Sequence, residues 1–84
     1  MLYRTIYILT YMPRRIAANR IIFGSKEFIQ YAIEIEGCIV KDYYPLTEEQ
    51  PFTEWLGGTI TLSNDAEGCI RAYKDGKLLT QDSY

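Results

Sequence analysis

Residues Ser25 to Tyr44, SKEFIQYAIEIEGCIVKDYY, decide the fold. Ser25 is placed to cap a helix, its hydroxyl accepting from an otherwise unpaired N–H of the first turn, and Glu27 then lies near the positive end of the dipole. Phe28, Ile29, Ala32 and Ile33 recur at the spacing of one helical face, which Ile35 widens. Gly37 suits the left-handed position just past a helix end, and Cys38 the apolar residue that packs back on Ile33. The same letters also alternate. Ile29, Tyr31, Ile33 and Ile35 would line one face of a strand, with Glu36-Gly37 turning a hairpin. Lys, Glu, Gln and Ala favour helix, and Glu-Gly is a poorer hairpin turn than Asn-Gly or Asp-Gly. The reading is therefore a helix over about residues 26–36, a glycine stop, and a strand from Cys38 to Leu46 that Pro45 brings to an end.

On the N-terminal side, Leu2 to Tyr11 (LYRTIYILTY) is dense in Ile, Tyr and Thr and reads as a central strand, closed by Met12-Pro13. Pro13 to Asn19 (PRRIAAN) is polar and basic, the composition of a loop with a helical turn. Arg20 to Gly24 is a short second strand, antiparallel to the first. On the C-terminal side, Thr47 and Gln50 have the spacing of a capping box, but Pro51 would disturb a continuing helix. A loop with one helical turn around Phe52 to Leu56, closed by Gly57-Gly58, is expected. Thr59 to Ser63 and Cys69 to Tyr73 are strands joined by a turn at Asn64 to Gly68. Asp75-Gly76 is a strong hairpin signal that turns the chain into a short strand at Lys77 to Thr80, and Gln81 to Tyr84 is a frayed tail. The sum is one α+β domain over residues 1–84: an antiparallel sheet of four to six strands with one helix on a face, in the order ββαβ followed by a β-meander.

A chain of 84 residues makes a small domain that buries only about 60–65% of its unfolded surface, so every core residue counts. An apolar fraction of 48% is that of a globular protein. The net charge of −2 conceals an asymmetry: Arg4, Arg14, Arg15, Arg20 and Lys26 give residues 1–26 a charge of +5, while four bases and eleven acids give the remainder −7. Such a split marks an interaction surface or two faces that neutralise each other in the fold, and the second is the simpler expectation. Cys38 and Cys69 are too few for a disulfide framework and read as buried, reduced, small apolar residues. No leader-like run and no apolar span of membrane length is present, so a cytoplasmic protein without membrane contact is expected.

The chemistry-bearing patterns are thin. There is no histidine, which excludes Ser-His-Asp and Cys-His catalysis and histidine metal sites. Gly24-Ser25-Lys26 has the ending of a phosphate-binding loop, but Asn19 stands where that loop needs a glycine and Glu27 where it needs Ser or Thr. Ser63 to Gly68 resembles a calcium loop only in part, since its first position is Ser63 and its twelfth Lys74. Glu34 and Glu36 share a face only on a strand, and as a helix pair they cannot cooperate as acid and base. No catalytic, cofactor-binding or metal-binding residue is assigned, and no cofactor is expected.

The expectation for function is a non-enzymatic, protein-binding module, a regulator or inhibitor of the kind mobile elements such as phages carry, with an acidic surface that occupies a nucleic-acid-binding site of its target. Its contact residues would be Glu48, Glu49 and Glu54 with the loop aromatics Phe52 and Trp55. Phe52, Trp55 and Leu56 also suit a lid over a small core, and the need for buried area favours that role. The alternative is a nucleic-acid accessory protein using Arg14, Arg15, Arg20 and Lys26 beside aromatic rings. Pairing of two copies through a strand edge or a tyrosine face is a further expectation.

Overall fold

The computed structural model describes residues 13–46 and 53–82. Among them there is no helix. Seven strands, β1 (Arg14–Phe23), β2 (Lys26–Glu36), β3 (Ile39–Pro45), β4 (Thr53–Trp55), β5 (Thr59–Asn64), β6 (Ile70–Lys74) and β7 (Lys77–Leu78), form one mixed sheet. The order is β3-β2-β1-β5-β6-β7, and β4 lies beside the first half of β1. The α+β expectation is thus overturned, and so is the wholly antiparallel sheet, because β1 runs parallel to both β4 and β5.

The helix expected over 26–36 is instead β2, an eleven-residue strand. Lys26 pairs with Phe23 and Glu36 with Ile39, so β1-β2 and β2-β3 are hairpins with two-residue loops, Gly24-Ser25 and Gly37-Cys38. Gly24 and Gly37 take φ of +64° and +67° while the residue after each does not. That is the glycine-first pattern of a II′ turn, whose twist suits a right-twisted hairpin and which a Cβ would strain. Glycine thus stops a strand here, not a helix. The segment expected as a basic loop, residues 13–19, belongs largely to β1, and the helical turn expected around 52–56 is β4 where described. The strand expected at 2–11 lies outside the described residues. The expectations of β3, β5, β6 and the Asp75-Gly76 hairpin are met, with φ of +53° and +78° at the two turn residues as a I′ turn requires.

Both long strands change phase midway. On β1 the inward residues are Ile16 and Ala18, then Ile21 and Phe23; on β2 they are Phe28, then Tyr31, Ile33 and Ile35. The break falls at Asn19 and Gln30, and Gln30 holds a left-handed φ of +52°. The neighbouring strand accommodates it with an extra residue: Leu56 to Gly58 stand opposite Ala18-Asn19, between the Trp55–Ala17 and Thr59–Arg20 pairs. Backbone bonds Leu56 N–H to Ala17 O (3.0 Å) and Arg20 N–H to Gly58 O (3.1 Å) carry the ladder across this bulge, and the Asn19 side chain accepts from Gly58 N–H at 2.8 Å. β4 and β5 together act as one bulged strand.

With no helix among the described residues to cover its apolar face, the sheet covers itself. β3 and β6 come into contact although β2, β1 and β5 lie between them in the sheet. Ile16, Ala18, Ile21, Ile33, Ile35, Val40, Ile60, Leu62 and Ala72 fill the concave side, and each fully buried isoleucine among them contributes roughly 1.5–3 kcal/mol. Polar ties close the curl. Arg71 donates to Cys38 O at 3.2 Å, Gln81 N–H donates to Gly37 O at 2.7 Å, and Gly37 N–H donates to the Gln81 side chain at 2.8 Å. Gln81, expected in a frayed tail, is therefore part of the closure.

Candidate functional site

The charged residues of β1 were candidates for a cationic surface, and the sheet disposes of them one by one. Neighbours along a strand face opposite ways, so Arg14 lies at the rim of the concave side and Arg15 on the convex side. Arg14 grips Glu54 with a fork (Nε–Oε2 2.6 Å, the second nitrogen to Oε1 at 3.0 Å) and donates to Thr80 O at 2.7 Å. Arg15 meets Glu34 at 3.1 Å and Arg20 meets Glu27 at 2.7 Å. Lys26 sits at the β1-β2 turn without an ion pair among the described residues. The segment's charge is thus largely answered within the fold, as the simpler sequence expectation has it.

The acidic candidates fare similarly. Glu54 is committed to Arg14, whose guanidinium holds the Glu54 carboxyl below the usual range against the opposing effect of burial. Glu48, Glu49 and Phe52 lie outside the described residues. Asp65 turns into its own loop: its Oδ1 accepts from Glu67 N–H (2.8 Å) and Cys69 N–H (2.9 Å), and its Oδ2 meets Arg71 at 2.9 Å. The Cys69 bond foremost, with Arg71 and Glu67, pulls its pKa down. Glu34 and Glu36 do share a strand, but each is held by a cation, Glu36 by Lys41 at 4.0 Å. Glu34 also accepts from the Tyr44 hydroxyl at 2.6 Å. Burial, and then that bond and the carboxylate charge, push the Tyr44 phenol up to about 12. These are structural pairs, in which each carboxylate is answered by a donor.

What the fold leaves unanswered is apolar. Among the described residues the exposed large apolar side chains are Ile29 on β2, Trp55 (54%) and Leu56 (37%), consecutive in the chain at β4 and the bulge, and Leu78 of β7 (38%). The lid role expected for Trp55 and Leu56 is therefore not realised, since neither belongs to the buried core. Leu56, Leu78 and Leu79 line a cavity of about 360 Å³ together with Arg14, Lys74, Asp75 and Lys77. Its walls come from the start of β1, the bulge after β4 and the β6-β7 hairpin with the residue after it. Lys74 pairs with Asp75 at 3.5 Å, which leaves Lys77 as the cation at this rim without a carboxylate among the described residues. Sequence reading found Trp55 and Leu56 but not Leu78 or Lys77, which the β6-β7 hairpin brings to the cavity that Leu56 lines, while Trp55, paired with Ala17, faces the opposite side of the sheet.

At the other end of β1 a second cavity, of about 330 Å³, is lined by Phe23, Gly24, Ser25, Lys26, Phe28 and Tyr43. Its rings touch: Phe23 and Tyr43 edge to face at 5.9 Å, Phe28 and Tyr43 at 5.8 Å. Among the described residues no group of three or more His, Cys, Asp or Glu side chains is placed to hold a metal ion, and no helix is long and apolar enough to cross a membrane. No family model, curated protein or solved structure matches the chain.

Proposed function

We propose that this chain is a non-enzymatic protein-binding module, a regulator or inhibitor acting by contact, whose interface is the sheet rim around β4, where Trp55 is exposed on one side and Leu56 with Leu78 on the other. The exposure of Trp55 and Leu56 carries this reading. A chain with so small a core gains from burying every large side chain it has, yet these remain at the surface. Tryptophan in such a place is the commonest anchor of protein interfaces. Lys77, uncommitted at the edge of the same cavity, suits an acidic group on the partner, and its charge favours encounter more than final affinity.

The carboxylate-mimic form of the idea has less behind it, because Glu54 is engaged by Arg14 and Asp65 by its own turn. The nucleic-acid alternative has less as well, because Arg14, Arg15 and Arg20 are each held by a carboxylate and do not share one face. The test is affinity capture from the native host with wild type, a Trp55→Ala/Leu56→Ser double variant, Lys77→Glu, and Lys41→Ala as a distant control. One saturable partner should be retained by wild type and the control. The double variant should lose at least about 2 kcal/mol of affinity, roughly thirtyfold. A partner held equally by the double variant, or salt-sensitive binding of labelled nucleic acid in place of any protein, would overturn the proposal.

A further inference from the structure

The second cavity has a character of its own and lies apart from the proposed rim. Eight of the nine cationic side chains are among the described residues. Six of them, Arg14, Arg15, Arg20, Lys41, Arg71 and Lys74, are ion-paired. Lys26 and Lys77 are the two that have no such partner among the described residues, and each lines one of the two cavities described above. Lys26 is exposed, and no carboxylate lines its cavity. Phe23, Phe28 and Tyr43 line the same cavity, Tyr43 in ring contact with both phenylalanines. The turn beside them is open: a side chain at Gly24 would meet nothing within 4 Å.

We propose that this cavity binds a nucleotide unit, a planar base with its phosphate, whether free or within a single strand. Rings on a rigid sheet offer a stacking surface that any base can use, without reading its sequence. An ammonium with no carboxylate paired to it among the described residues supplies the complementary charge for a phosphate. A volume near 330 Å³ sits at the low end of ligand pockets, which limits the occupant to one ring system. The site uses Lys26 alone of the basic residues of the N-terminal third. It is therefore a pocket for one nucleotide, not a track along a nucleic-acid backbone.

The experiment is NMR titration of the whole chain, following the ring resonances of Phe23, Phe28 and Tyr43. The probes are adenosine monophosphate, adenosine, inorganic phosphate and a short single-stranded oligodeoxyadenylate. One stacked base with one charge contact predicts a dissociation constant of about 1 mM for the monophosphate. Adenosine should move the same rings more weakly, and phosphate alone should barely move them. Lys26→Glu, a change at an exposed turn that leaves the rings packed, should weaken the monophosphate about tenfold and leave adenosine unchanged. Tighter binding of the oligomer than of the monophosphate would identify a strand as the source; equal binding would identify the free nucleotide. Ring resonances unmoved by every probe would overturn the proposal. So would monophosphate binding that Lys26→Glu does not weaken. Neither result bears on the Trp55 rim.

Discussion

Ile29 and Ile33 separate a strand from a helix at residues 26–36 in one comparison. On a helix they stand four apart on one face, and both would be buried. In β2 the phase break at Gln30 sends Ile29 outward, 61% exposed, while Ile33 is completely buried between Ile16 of β1 and Tyr43 of β3. Ile33→Ala removes three carbons from a closed core and should cost about 2–5 kcal/mol, with Ile33→Val a graded step of about 0.5–1.5 kcal/mol. Ile29→Ala loses little packing and should stay within about 0.5–1 kcal/mol, most of it strand propensity. A chain of this size has roughly 4–13 kcal/mol of stability in all, so Ile33→Ala stands near the limit of folding. The assay is urea unfolding followed by circular dichroism. With a slope of about 1 kcal/mol per molar for so short a chain, Ile33→Val should move the midpoint by about 1 M and Ile29→Ala by less. Equal losses at the two positions, or a larger one at Ile29, would refute the strand and its phase.

Three further outcomes follow from the polar ties. The Tyr44 phenol is raised to about 12, so the unfolded chain releases that proton first. Stability fully present below pH 10 should decline as pH rises toward 12, and the phenolate absorbance of Tyr44→Phe should lack the latest-titrating step. The Asp65 carboxyl is lowered, so its contribution is present above its unfolded pKa and lost as pH falls through the folded value. Asp65→Ala should be less stable at neutral pH and show a weaker acid-induced loss in urea midpoints. Arg14 is mostly buried and holds both Glu54 and Thr80 O; Arg14→Ala should cost about 1–3 kcal/mol, and Glu54→Gln, which leaves the Thr80 bond in place, less than about 1 kcal/mol, by urea unfolding.

The misreading of β2 has its cause in the phase break at Gln30. Had β2 alternated strictly, Phe28 would have fallen out of phase with Ile33 and Ile35 and the helix would have had less support. The left-handed turn at Gln30 puts Phe28 and Tyr31 on the same side at a separation of three, which is a helical spacing. Gly37 fits a helix stop and a II′ turn alike, because both need positive φ. β1 was hidden because Arg14 and Arg15 look like loop residues until Glu54 and Glu34, far away in sequence, answer them. The signal that was there is Ile16-Ala17-Ala18, three consecutive apolar residues, all of them fully buried. β4 has three residues and exists by parallel pairing with β1, which no local pattern announces. The later hairpins were legible because their signals are local: Asp75-Gly76 sets a I′ turn by itself, and Asp65 binds its own loop's N–H groups. Of the rim, Trp55 was legible as a large aromatic among turn residues. Its exposure was not, because burial belongs to the packed sheet.

The central claim, an apolar rim held open for a partner, is tested most directly by the fluorescence of Trp55, the chain's single tryptophan. In the free protein its emission should be red-shifted and readily quenched by acrylamide, at every protein concentration. On adding the partner captured from the host, emission should shift to the blue and quenching should fall. A free protein whose tryptophan is already blue-shifted and protected would contradict the rim. An exposed tryptophan unchanged at saturating partner would contradict its role as the anchor.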